Sequence, residues 1–146
     1  MGSITSLVGD VIYLDANLFI YALEGLPPFA TKLAALFQRF DRGELRAVTS
    51  ELTLAEVLVK PIRENNAGLR DQYERILRTS RVLTVLPITR DVLVAAATLR
   101  AGSSLKLPDA IHAATSIAAN CTTHLTNDHR FASIPNLQVM LVPDLP

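Results

Sequence analysis

A chain of 146 residues is long enough for one compact core and for three layers of secondary structure. Hydrophobic residues make up 49% and charged residues 19%, which excludes a disordered, collagen-like or coiled-coil chain. The formal net charge is zero, from 14 basic and 14 acidic residues. Such a balance can hide a sorted distribution, so it neither supports nor excludes a nucleic-acid partner.

Residues 1–8 lack a positively charged start followed by a long apolar run, so no signal peptide is read there. Val11-Ile12-Tyr13-Leu14 is a continuous apolar, β-rich run, the pattern of a strand buried on both faces. It ends in Asp15-Ala16-Asn17, after which residues 18–23 read as a short helix stopped near Gly25. Pro28 is placed to open the next helix, whose Leu33, Leu36, Phe37 and Phe40 fall at i, i+3, i+4 and i+7. The apolar faces of residues 18–23 and 33–40 are either core or a subunit interface. Residues 46–49 form a second strand, Ser50 caps a helix over 51–60, and Pro61 helps terminate it. A loop over 64–68 leads to a helix over 68–78, with Leu69, Tyr73, Ile76 and Leu77 on one face.

Residues 82–86 are a third strand, and Thr89 caps a helix that runs through Arg100 with Gly102 just beyond it. Pro108 starts a helix to about Ala119, Thr123-His124-Leu125-Thr126 is a fourth strand, and residues 138–142 are an edge strand. The longest apolar stretch, residues 92–97, is far short of the ~20 residues that span a bilayer, which predicts a soluble chain. A single cysteine, Cys121, excludes an intramolecular disulfide and fits a reducing cytosol. Strands alternating with helices imply right-handed βαβ units. The expected fold is a single α/β domain over residues 1–146, three-layered (α/β/α), around a mainly parallel central sheet of four to five strands.

Four acids stand out. Asp15 follows the first strand and Asp128 the fourth, at the strand ends where open α/β sheets place their ligands. Either one alone reads as a turn or helix-capping residue. Glu56 lies in a helix that is apolar on nearly every side, so it either points into a polar cleft or occupies a narrow solvent strip beside Thr53 and Lys60. Asp109 opens a helix, where an acid ordinarily complements the dipole for ~0.3–1 kcal/mol. Ala110, Ala113 and Ala114 on that helix predict close packing on the sheet, which brings Asp109 near the strand ends.

Together the acids suit phosphodiester cleavage, which needs a nucleophile made from water and relief of charge on the phosphoryl oxygens. Hard Mg²⁺ provides both with a few carboxylates and needs no His or Cys. Bound metal that neutralises four carboxylates also turns the charge balance positive. The three His and one Cys have no zinc-site spacing, and no Gly-rich phosphate loop or nucleophile elbow occurs.

The segments Tyr13-Leu14-Asp15-Ala16-Asn17, Thr49-Ser50 through Ala55-Glu56-Val57, Leu107-Pro108-Asp109-Ala110 and Thr126-Asn127-Asp128-His129-Arg130-Phe131 resemble, in order and spacing, the four acidic motifs of PIN domains. They look most like VapC-like toxins of bacterial toxin–antitoxin pairs, over nearly the whole chain. The resemblance implies a PIN-like fold and a cytoplasmic, Mg²⁺- or Mn²⁺-dependent endoribonuclease. Its partners would be an RNA substrate, an antitoxin protein and a second copy in a homodimer, with no membrane. It implies that Asp15, Glu56 and Asp109 are the central metal-binding carboxylates and Asp128 the fourth, more variable one. Asn17, Ser50 and Thr126 would orient carboxylates or metal-bound water, each with an ordinary alternative as helix start, N-cap or strand end. His112, three residues past Asp109, either faces the site or packs on its helix.

Arg63, Arg70, Arg75, Arg78 and Arg81 crowd one region but are interleaved with acids, as on a solvated face. Lys106 and Arg130 flank two motifs and are the better candidates for phosphate contact. A PIN nuclease of RNA processing without a toxin role, and a non-catalytic α/β interaction domain, are the alternatives. A receiver domain would need a strand-end Lys beside its acids, and none is present.

Overall fold

The computed structural model describes residues 10–145, so the reading of residues 1–8 lies outside it. β1 (Val11–Leu14), β2 (Arg46–Ser50), β3 (Leu83–Leu86), β4 (Thr123–Thr126) and β5 (Val139–Leu141) form one sheet in the order β3-β2-β1-β4-β5. Every neighbouring pair is parallel. The central place of β1 follows from its composition, since Ile12, Tyr13 and Leu14 are wholly buried.

The connections α1 (Ala16–Leu23) with α2 (Ala30–Asp41), and α3 (Glu51–Arg63) with α4 (Ala67–Ile76), advance from β1 to β2 to β3. Right-handed crossovers put these four helices on one face, and α5 (Arg90–Ala101) with α6 (Leu107–Ala118) on the other as the chain returns to β4. The core divides the same way. Leu18, Leu33, Leu36, Phe40, Val57 and Tyr73 belong to one cluster, and Val92, Ala96, Ala110, Ile111 and Ala114 to another. A 3-10 turn (His129–Ser133) joins β4 to β5 and buries Phe131.

Four boundaries differ from the sequence reading. α1 starts at Ala16, directly after Asp15. Pro28 does not open α2, because residues 27–29 stay in a turn and Phe29 takes the N-cap position. Pro61 does not end α3, which runs on to Arg63. Thr53, Val57 and Pro61 form one buried i, i+4, i+8 row, and packing of the ring offsets the lost backbone bond. α4 stops at Ile76, before a turn in which Ser80 Oγ accepts from Val82 and Leu83 N–H and Thr79 Oγ1 from Val85 N–H.

On α1 and α2, Leu18, Phe19, Leu33, Leu36 and Phe40 are buried in the core, while Leu23 and Phe37 of the same faces are only partly buried. Exposed apolar side chains include Val59 and Ile62 on α3, Leu93 and Val94 on α5, and Leu26, Ile76 and Leu107. No helix of the described residues is long and apolar enough to cross a membrane.

Three helices are tied at Glu24, just past α1, whose carboxylate accepts from the Tyr73 hydroxyl of α4 at 2.6 Å and from Lys60 Nζ of α3 at 3.0 Å. Tyr73→Phe keeps the buried ring and removes one bond to a carboxylate. Urea melts should show a loss of about 1–2 kcal/mol. An unchanged midpoint would mean that the tie contributes nothing.

Candidate active site

Beside β1 the strand order reverses, with β2 on one side and β4 on the other. Asp15 stands immediately beyond the carboxyl end of β1 and Thr126 ends β4, with Leu14 paired to Leu125. The Thr126 hydroxyl donates to Asp15 Oδ2 at 2.8 Å, and Asp128 N–H donates to Thr126 Oγ1 at 3.2 Å. On the other side Thr49, near the end of β2, donates to the Leu14 carbonyl at 2.7 Å and pairs with Thr53 of α3 at 2.8 Å. These bonds fix the ends of three strands around Asp15.

Glu56 reaches the same region from α3, and Asp109 from the first turn of α6. Glu56 Oε1 lies 2.6 Å from His112 Nε2, and His112 Nδ1 lies 2.7 Å from the Tyr13 hydroxyl. In the neutral ring the phenol donates to Nδ1 and Nε2–H donates to the carboxylate. Tyr13 stacks on His124 (4.9 Å, 7°), which tilts against Phe131 (4.6 Å, 33°). Arg130 joins the other two acids: Nε sits 3.1 and 3.0 Å from the Asp128 oxygens, and Nη2 is 3.2 Å from Asp109 Oδ2.

Burial grades across the acids. Asp15 is 7% exposed, while Glu56, Asp109 and Asp128 are only partly buried. Desolvation raises the Asp15 carboxyl above its ordinary range, against the lowering effect of the Thr126 hydroxyl and His112, and the Glu56 charge adds to the rise. Desolvation also raises Asp109, although Arg130 opposes it. Asp128 is lowered, chiefly by its hydrogen bonds from the Arg130 side chain. One arginine thus touches two acids that move in opposite directions. Its fork sits squarely on Asp128, whereas its single contact does not outweigh the burial of Asp109.

A PIN domain sequence model matches residues 12–137. The chain belongs to the PIN domain family. PIN domains are nucleases, and a hydrolase acting on nucleic acid is the activity class that membership carries. Among solved structures the fold is similar to VapBC2 from Rickettsia felis bound to a promoter DNA fragment, at TM-score 0.69 and 20% identity, over 90% of this chain and 98% of that one. A toxin–antitoxin complex from Klebsiella pneumoniae matches at TM-score 0.67 and 22% identity, over 90% and 97%. VapC20 from Mycobacterium tuberculosis, a sarcin–ricin-loop-cleaving toxin, matches at TM-score 0.68 and 16% identity, over 87% and 98%. No curated protein matches the sequence.

Within this PIN domain the four acids form an electrostatic chain: Asp15 feels Glu56, and Asp109 feels both Glu56 and Asp128. Their ordinary alternatives fare unequally. Asp15 makes no side-chain cap on α1, and Glu56 is bound to His112 rather than lying on a solvent strip, for Thr53 is buried. Asp128 does cap the 3-10 turn, accepting from Arg130 N–H. Ser50 is a buried N-cap accepting from Leu52 N–H, and Asn17 is exposed in the first turn of α1. Arg70 and Arg78 contact Glu74, and Arg81 the Asp41 carbonyl, the pattern of a solvated face. Lys106 is exposed ahead of α6. Tyr13 was legible only as a strand residue, because nothing in the sequence reveals a partner 99 positions away.

The donors suit a hard divalent cation. Among the described residues Asp15 Oδ1 is a buried carboxylate oxygen without a hydrogen bond of good geometry, although the Asn17 N–H lies near enough to the carboxyl to lower its pKa, and the surrounding acids offer oxygen only. Among the described residues, however, no three His, Cys, Asp or Glu side chains are gathered to hold an ion as they stand. His112 and Arg130 already engage three of the four carboxylates.

Proposed function

We propose that this PIN domain is a divalent-metal-dependent endoribonuclease and the toxin of a toxin–antitoxin pair. The observation that carries the metal reading is the buried Asp15 Oδ1, unpartnered among the described residues and within electrostatic reach of Glu56 at the sheet's reversal point. Mg²⁺ or Mn²⁺ held by Asp15, Glu56, Asp109 and Asp128 would supply charge relief at the phosphoryl oxygens and a readily ionised water. Thr126 fixes one Asp15 oxygen and leaves the other for the ion. His112, itself braced by Tyr13, is a positioning residue that keeps the half-buried Glu56 from swinging into solvent. Asp109 and Asp128 form the more open side, where an RNA backbone would approach. Asn17 and Ser50 act from farther out, Ser50 by holding the start of α3.

The toxin role and the antitoxin partner are supported by the likeness to toxin–antitoxin complexes. A largely apolar cavity of about 600 Å³, lined by Phe19, Leu23, Phe37, Tyr73, Ile76 and Val82 and by none of the four acids, offers such a partner a place to dock. A homodimer would draw on the exposed apolar residues of α3 or α5. A cytoplasmic location accords with the unpaired Cys121.

The test is an assay on single-stranded and looped RNA. EDTA should abolish cleavage, Mg²⁺ or Mn²⁺ should restore it, and Zn²⁺ should restore it poorly because the ligands are all oxygen. Undiminished cleavage in EDTA would sink the metal mechanism, and cleavage of DNA alone would sink the substrate assignment.

A further inference from the structure

Arg130 lies in the turn that follows β4, and its backbone is anchored there. Its N–H donates to Asp128 Oδ1 at 2.9 Å, its carbonyl accepts from the Ser133 hydroxyl at 2.9 Å, and the next residue, Phe131, is 1% exposed. The guanidinium is the free end of a long side chain and rests on Asp128 and Asp109 together. It is 39% exposed, so nothing confines it to that position once another cation takes the oxygens. A planar arginine fork and a hard divalent ion seek the same carboxylate oxygens, and they repel each other when both are close.

We infer that Arg130 is an internal counter-ion that competes with the divalent cation for Asp109 and Asp128, so that loading the site requires its guanidinium to leave them. The inference rests on the metal reading above. The cost of the arrangement is weaker metal binding than the carboxylates alone would give. Its return is a site whose like charges do not repel one another in the metal-free protein.

The experiment is calorimetric titration with Mn²⁺ and thermal melts in EDTA and in Mn²⁺, on wild type, Arg130→Gln, Arg130→Lys and Arg63→Gln. Arg63 is an exposed arginine at the end of α3 and controls for net charge. Arg130→Gln should bind Mn²⁺ about tenfold more tightly than wild type. It should melt lower in EDTA and gain more from Mn²⁺. Arg130→Lys keeps the charge but not the fork; it should fall between the two and guards against a folding defect in the glutamine variant. Arg63→Gln should match wild type. Equal Mn²⁺ affinity in wild type and Arg130→Gln overturns the inference and leaves the metal reading standing. No Mn²⁺ binding by either overturns both. Binding by Arg130→Gln alone supports the inference in its strongest form.

Discussion

Asp15→Asn should make the metal-free protein more stable by about 1–3 kcal/mol while lowering cleavage by on the order of 100-fold or more. Asp15 is buried, one of its oxygens lacks a well-formed hydrogen bond among the described residues, and the Glu56 charge lies close enough to disfavour its ionised form. The amide keeps the shape and an acceptor for the Thr126 hydroxyl. It removes the buried charge, and an unpaired amide costs less than an unpaired carboxylate. Mn²⁺ should raise the melting temperature of wild type by mass action and that of the variant far less. Melts of both proteins in EDTA and in Mn²⁺ read both effects. A destabilised variant with a full Mn²⁺ response would make Asp15 a structural residue rather than a ligand.

The second large effect concerns His124, which is 1% exposed and whose ring nitrogens have no hydrogen-bond partner among the described residues. Burial, with a smaller contribution from the neighbouring His112, pushes its pKa from 6.5 down to about 3. Between those values the unfolded chain holds a proton that the folded chain refuses. The stability gained by keeping the ring neutral is therefore whole above the unfolded pKa and drains as pH falls towards the folded one. Each pH unit in that window costs about 1.4 kcal/mol, so the step from pH 7 to pH 5 should cost about 2 kcal/mol through this group alone. His124→Phe keeps a flat ring between Tyr13 and Phe131 and removes the titration. Urea midpoints at both pH values should show the variant losing about 2 kcal/mol less than wild type. Equal losses would mean that the folded ring takes up the proton after all.

Those two side chains show what the sequence could and could not convey. The strand of Asp15 was legible because β1 is an unbroken apolar run, and the placing of Asp15, Thr126 and Asp128 at strand ends followed from the alternation of strands and helices. Pro61 misled, since a proline ends a helix by local rules, whereas its ring here continues a buried row. The His112 bridge from Tyr13 to Glu56 joins positions 99 and 56 residues apart, and a single histidine at i+3 from an acid carries no mark of such partners. Arg130 was read as a phosphate contact from its flanking position alone. Its engagement with Asp109, 21 residues earlier, depends on how α6 is laid against the turn after β4.

The hydrogen bond from Thr126 to Asp15 spans 111 residues of sequence, and it sets an order on how the molecule comes into being. As the chain leaves the ribosome from its N-terminus, β1, β2 and β3 can pair with one another while the place beside β1 is still vacant. Long-range parallel pairing is the slow part of such folding. Until β4 has been made and inserted, Asp15 has no hydroxyl to hold it, and neither Asp128 nor Arg130 exists. A copy cut short before β4 carries the sequence of α1 to α6 yet lacks Thr126, Asp128 and Arg130, so the cluster around Asp15 is assembled only when the last quarter of the chain is in place.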